Sequence, residues 1–180
     1  GKRADLADHR RGVISVANVY DTDASGKLPD GTKVKWMRII QLIPQLRTQI
    51  NRETIEFISF ADESLGRIPL GVVPVEDDGS VYCEAPVGKA LYFQLLDEEG
   101  MAVHSMRSAT YVHAGEQLSC VGCHESRWKA MPSMHRPSAF RRSPSKIVPE
   151  VASGAIPFVL TGERDIPGSP PGPHTGAMPQ

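Results

Sequence analysis

Cys120-Val121-Gly122-Cys123-His124 is the stretch of this sequence with the clearest chemistry. Two thiols three positions apart can each add across a vinyl group of one porphyrin, and the imidazole that follows can reach the iron. The spacing predicts one covalent haem c held through Cys120 and Cys123, with His124 as the proximal iron ligand. Two other uses of a Cys-x-x-Cys pair fit less well. Structural zinc takes four ligands, and no second Cys-x-x-Cys or His-x-x-x-His follows here. A dithiol redox site would be expected to open a helix after a strand in a βαβ unit, a context this chain does not suggest.

The other axial position of the iron decides function. A side chain there makes the iron an electron shuttle, whereas an open position lets nitric oxide, hydroxylamine or peroxide bind. His113, seven residues before Cys120 at the end of a predicted strand, is the first candidate for the distal ligand, and Met106 is the second. His104 shares a strand face with Met106, since alternate residues of a strand point the same way. A strand methionine is more often packing than ligand. Met131, Met134 and His135 lie on a later segment that could fold over the porphyrin, and Tyr111 is a potential oxygen donor. Cys83, the third cysteine, reads as a small buried hydrophobe.

Length and composition bound what carries this motif. A chain of 180 residues with 40% hydrophobic content can form one domain with a real core, or a small domain with extensions. The 20 basic and 21 acidic residues nearly cancel, so nothing points to nucleic acid or to a polybasic membrane anchor. No apolar run approaches the ~20 residues of a membrane span. The first residues, Gly1-Lys2-Arg3-Ala4-Asp5, form no apolar signal region. Covalent haem attachment normally takes place outside the cytoplasm. The simplest reading is a segment of a longer exported protein, in the periplasm or an equivalent compartment.

The elements that must position the motif read as strands. Gly12–Tyr20 alternates apolar with small or polar residues and is rich in β-branched side chains; a second strand is expected over Lys33–Ile43, ended by Pro44. Arg47–Phe60 is ambiguous between strand and short helix. Arg67–Val75 carries Pro69 and Pro74, which suits an edge strand. Glu76-Asp77-Asp78-Gly79 predicts a hairpin turn into Ser80–Ala85. Ala90–Leu96 is a further strand, returning through the turn Asp97–Gly100 into Met101–His113. Strands of this length with Asp/Gly turns and no 3.6-residue period predict an antiparallel sandwich or open barrel, with the haem loop at one end. Glu125–Ala130 could add one helical turn. The expected division is a lead-in over 1–12, a β-rich haem domain over 13–149 and a Pro/Gly-rich linker or wrapping tail over 150–180. The cluster Arg136, Arg141, Arg142 and Lys146 reads as a solvated face, or alternatively as partners for haem propionates.

Several of these segments together resemble a known family. They are Leu65-Gly66-Arg67-Ile68-Pro69 through Asp78-Gly79-Ser80, Tyr92–Asp97, Met106-Arg107-Ser108, and Gly115-Glu116 up to Cys120–Glu125. They are similar to exported planctomycete multidomain c-type cytochromes of the type of the hydrazine synthase alpha subunit middle domain, over roughly Val13–Pro149. The resemblance implies a haem domain that follows a β-propeller and can precede a further cytochrome domain. It also implies an unusual iron site, in which a tyrosine four residues after the motif histidine binds iron and that histidine binds zinc. The corresponding residue here is Trp128, which has no ligand atom, so His124 is expected to return to the iron. The resemblance permits a zinc site at Cys83 as well. Trp128 and Tyr111 are otherwise expected to pack the porphyrin edge. Two functions follow: electron transfer to a redox partner protein or neighbouring cytochrome domain, or an open haem site for small nitrogen compounds and gas ligands.

Overall fold

The computed structural model describes residues 11–22, 27–43, 66–106, 108–123, 128, 130 and 136–154. The ambiguous segment 47–60, His124, the helical turn sought over 125–130 apart from Trp128 and Ala130, the candidates Met131, Met134 and His135, and the Gly168 tail lie outside these residues.

Alternation of side chains between two faces builds the sheets. In β1 (Arg11–Val16), Ile14 and Val16 join the main core, while Val13 packs on the other face against Tyr82, Ala139 and Phe140. β2 (Trp36–Ile43) sends Met37 and Ile39 inward and turns Arg38 outward. β3 (Gly66–Pro74) follows, and β4 (Val81–Pro86) buries Val81, Cys83 and Ala85 in the same core. β5 (Leu91–Leu96) does likewise with Leu91, Phe93 and Leu95. β6 (Ala102–Ser105) and β7 (Gln117–Cys120) are short. Burying about 25 cal/mol per Å² of apolar surface, such alternating faces hold two sheets together without helices.

The strands form a three-stranded sheet in the order β4-β1-β7 and a four-stranded sheet in the order β3-β2-β5-β6. One core draws residues from both, so the sheets face each other as a sandwich and no closed barrel forms. The mainly β expectation holds. β3 is an edge strand, as its two prolines demand.

Two expectations need correction. First, the sheets are not wholly antiparallel: β7 runs parallel to β1, with Val16 beside Cys120. The return after β5 does not continue as one strand to His113. It pairs as β6, touches β5 again at Thr110 opposite Leu91, then leaves and crosses to the other sheet. Second, the Glu76–Gly79 turn exists, with the Gly79 N–H donating to the Glu76 carbonyl at 2.8 Å, but its flanking strands do not pair as a hairpin. It carries the chain from one sheet to the other, since β3 pairs with β2 and β4 with β1.

Residues 136–154 wrap the edge formed by β4 and β3. Ser145 bridges β4 through bonds to Glu84 and Tyr82, and Val148 exchanges two backbone bonds with Val72 of β3. A 3₁₀ turn, Ser138–Arg141, and α1 (Glu150–Ser153) complete the wrap. α1 lies just past position 149 and is fastened by Glu150, which accepts two bonds from the Arg38 guanidinium at 2.5 and 2.8 Å. Among the described residues no helix is long and apolar enough to cross a membrane.

Candidate functional site: a cysteine-lined cavity between the sheets

β7 is placed by its parallel pairing with β1, which fixes where the motif begins. Leu118 lies beside Ile14 and Cys120 beside Val16, so both share the inward face, while Ser119 points outward to the Ser15 hydroxyl at 2.9 Å. Past the strands the pairing continues through the backbone. The Ala17 N–H donates to the Cys120 carbonyl at 2.9 Å, and the Asn18 N–H to the Val121 carbonyl at 3.0 Å. Gly122 then passes so close to Asp21 that a Cβ on it would sit 1.9 Å from the Asp21 carbonyl oxygen. The motif loop is therefore clamped by residues 17–21, and only glycine fits at its centre.

This clamp brings Cys120 and Cys123 to the wall of an apolar cavity of about 300 Å³ between the two sheets. Met37, Phe93 and Leu95 line it from one sheet, and Val16 and Leu118 from the other. Protein interiors seldom leave voids larger than a water molecule, and a space of this size is at the lower end of ligand-site volumes. No disulfide joins the two cysteines. Both are half-buried and pack against the main core.

Of the other candidates, Met106 lines the cavity, and so does His104, whose Nε2 is fully buried. His104 lies opposite Leu95 in the β5–β6 pairing, and Ser105 opposite Gln94, which sets His104 on the inner face and Ser105 on the outer. His113 is elsewhere. It is exposed, its N–H bonds the Glu116 carboxylate at 2.7 Å, and its ring stands edge-on to Tyr111, which is also exposed. Neither is among the residues that line the cavity. Trp128 is 96% exposed. The sequence reading gave His104 no priority, although its two-residue spacing from Met106 was the available signal.

Cys83 is sealed in the core, and burial, with a smaller contribution from the Glu84 carboxylate, pushes its thiol up to about 12. A thiol held neutral in this way is a poor metal ligand. Among the described residues no three His, Cys, Asp or Glu side chains gather closely enough to hold a metal ion. The basic cluster splits: Arg142 pairs with Glu76, and Arg136, Arg141 and Lys146 are exposed on the wrapped segment, along the edge away from β7.

Fold and site together define a two-sheet β domain that presents a Cys-x-x-Cys pair to an apolar cavity. A family model described as the hydrazine synthase alpha subunit middle domain matches residues 32–125, more than half of the 180 residues. The chain belongs to that family. Among solved structures, Kuenenia stuttgartiensis hydrazine synthase is similar at 20% identity and a TM-score of 0.55, over 74% of this chain and 20% of that one. At this identity the likeness establishes a shared fold, and this chain spans about one fifth of the length of that relative. No curated protein matches.

Proposed function

We propose that this chain is a c-type haem domain that transfers electrons within a larger exported redox protein. Cys120 and Cys123 would hold one haem by thioether bonds, and His124 would be the proximal iron ligand. One observation carries the reading: both motif thiols line an apolar cavity between two sheets, with a buried imidazole lining it from the facing sheet. The donor set suits the group, since sulfur bonds the vinyl carbons, imidazole suits iron and aliphatic walls suit a porphyrin face. Bound haem supplies a one-electron couple whose potential depends on the axial pair and on burial.

The residues around the cavity have definite tasks in that reading. The clamp of residues 17–21 on the motif holds the two sulfurs at fixed positions on one side of the cavity. Met37, Phe93 and Leu95 exclude water from the opposite wall, which favours the less charged redox state.

A second reading is an open haem site for small nitrogen compounds or gas ligands, favoured by membership of the hydrazine synthase alpha family. Trp128 stands where that family's iron-binding tyrosine would be expected, and it is exposed. Intact mass of the chain matured in an exporting host with haem-attachment machinery tests the shared premise. An added mass of one haem, lost on replacing Cys120 and Cys123 by alanine, is expected; unmodified chain overturns both readings. A ferrous spectrum that does not change with carbon monoxide separates the first from the second.

A further inference from the structure

We infer that separate parts of the fold position the two motif sulfurs, Cys120 by the β1–β7 register and Cys123 by the passage of Gly122 against Asp21. Gly122 and Asp21 are then positioning residues for the second thioether alone. The bond-forming part of this rests on the haem reading above; the placement of the thiols does not.

Cys120 is the last residue of β7 and lies beside Val16. Its carbonyl accepts from the Ala17 N–H at 2.9 Å, and the Val121 carbonyl from the Asn18 N–H at 3.0 Å. These bonds fix the chain as far as position 121. At Gly122 the chain meets Asp21: a Cβ there would lie 1.9 Å from the Asp21 carbonyl oxygen and 2.8 Å from its carbon. Both atoms are backbone and cannot swing aside as a side chain would. Asp21 is also braced from its own side. Its N–H donates to the Asn18 carbonyl at 3.0 Å, and the Val19 N–H donates to the Gly79 carbonyl at 2.8 Å, with Val19 fully buried. The Tyr20 hydroxyl accepts from the Val34 N–H at 2.9 Å. The segment 18–21 therefore holds its place, and a side chain at position 122 displaces the chain that follows it. Cys123 is the next residue, whereas Cys120 stays with its strand.

Each thioether forms by addition of one S–H across one vinyl C=C. Sulfur bonds one carbon, the hydrogen goes to the other, nothing leaves and no oxidant is needed. Each addition requires its sulfur within reach of its own vinyl. With Cys123 displaced, one vinyl survives while Cys120 still reacts.

The test makes Gly122→Ala in the full chain and reads each cysteine separately. In the reduced, haem-free chain, iodoacetamide alkylation followed by peptide mass should quicken severalfold at Cys123 and keep the wild-type rate at Cys120. Tyr20→Phe removes the hydroxyl that braces the segment and adds no atom, so it keeps the fold and decides where Gly122→Ala does not fold. It should give a smaller rise, again at Cys123 alone. In the haem-loaded chain, Gly122→Ala should keep the added mass of one haem through Cys120 and leave Cys123 open to alkylation. Its pyridine haemochrome band should move to longer wavelength, because one vinyl stays conjugated with the ring. A merely structural role for Gly122 would weaken both attachments alike. The inference is overturned if the two cysteines quicken together in Tyr20→Phe or in a folded Gly122→Ala, or if neither quickens in Tyr20→Phe. It is also overturned if loaded, folded Gly122→Ala carries two thioethers, or none, where the wild type carries two. A wild type without added mass overturns the haem reading, and alkylation of the haem-free chain still decides the placement of the thiols.

Discussion

The two edges of the sandwich are built in opposite ways. Along the β4/β3 edge the chain returns and closes the structure: Ser145 bonds β4, Val148 bonds β3, and Glu150 grips Arg38. Along the β7/β6 edge β7 and β6 have four residues each, and the space between the sheets is a cavity rather than packed side chains. A cavity lined by Met37, Phe93 and Leu95 forgoes dispersion contacts that a filled core would make. The difference teaches that the fold places its cross-sheet fastening away from the motif, which leaves the edge that carries Cys120 and Cys123 shaped around a space.

Removing the fastening should have the largest effect. Arg38 and Glu150 are mostly buried, and the same guanidinium donates to Gln94 at 3.0 Å, so Arg38→Ala leaves a carboxylate facing a half-dry surface. Loss of one partner of such a pair costs about 3 kcal/mol. Chemical denaturation should show that loss in the midpoint with little change in slope. If the two edges are independent and the proposed haem is bound, the absorption spectrum of the folded, loaded variant will match the wild type. A changed spectrum would mean that the wrap shapes the cavity as well.

Acid should loosen the same edge by a different route. Burial raises the Asp78 carboxyl, but bonds from the Ser80 hydroxyl, the Ser138 N–H and the Ser80 N–H outweigh it and hold the group at about 2. Because the folded value lies below the ordinary 3.8, this stability is fully present above pH 3.8 and is lost as pH falls toward 2. The amount is on the order of 1 to 2 kcal/mol after solvent screening. Asp78→Asn should flatten the pH dependence of unfolding between pH 4 and 2. An unchanged slope would show that the 3₁₀ turn is not held by this carboxylate.

The strands were legible because alternate residues of each share a face, although both faces are largely covered. Val81, Cys83 and Ala85 share one face, as do Leu91, Phe93 and Leu95, and period two survives in both sheets. Cys83 as a buried hydrophobe was legible for the same reason. Long-range pairing was not. The turn Glu76–Gly79 has hairpin chemistry, and only the choice of partners by β3 and β4 decides that it joins two sheets. β7 has four residues, too few for alternation to stand out, and its parallel partner lies about a hundred positions earlier. The preference for His113 assumed one unbroken strand from Met101. The break after β6 sends His113 to the surface and leaves His104, inside the regular pairing, at the cavity. The tie of Glu150 to Arg38 left no local mark in the sequence.

The smallest effect belongs to the open edge, where β7 is fastened to β1. Ser15 is fully buried, its hydroxyl lies 2.9 Å from that of Ser119 and it can also donate to the Leu118 carbonyl at 3.2 Å. Ser15→Ala removes these bonds, but Ser119 is exposed and can turn to water, so the cost should be about 1 kcal/mol. Its position makes the substitution informative. These hydroxyls sit on the outer face of the strand pair that sets Cys120 beside Val16, so any slackening is felt first at the motif. Amide exchange should therefore quicken at Ala17 and Asn18, whose N–H groups bond the Cys120 and Val121 carbonyls, while Val72 and Val148 on the far edge stay protected. Equal quickening at both edges would mean that the sandwich opens as one unit and that the contrast between its edges does not extend to its motions.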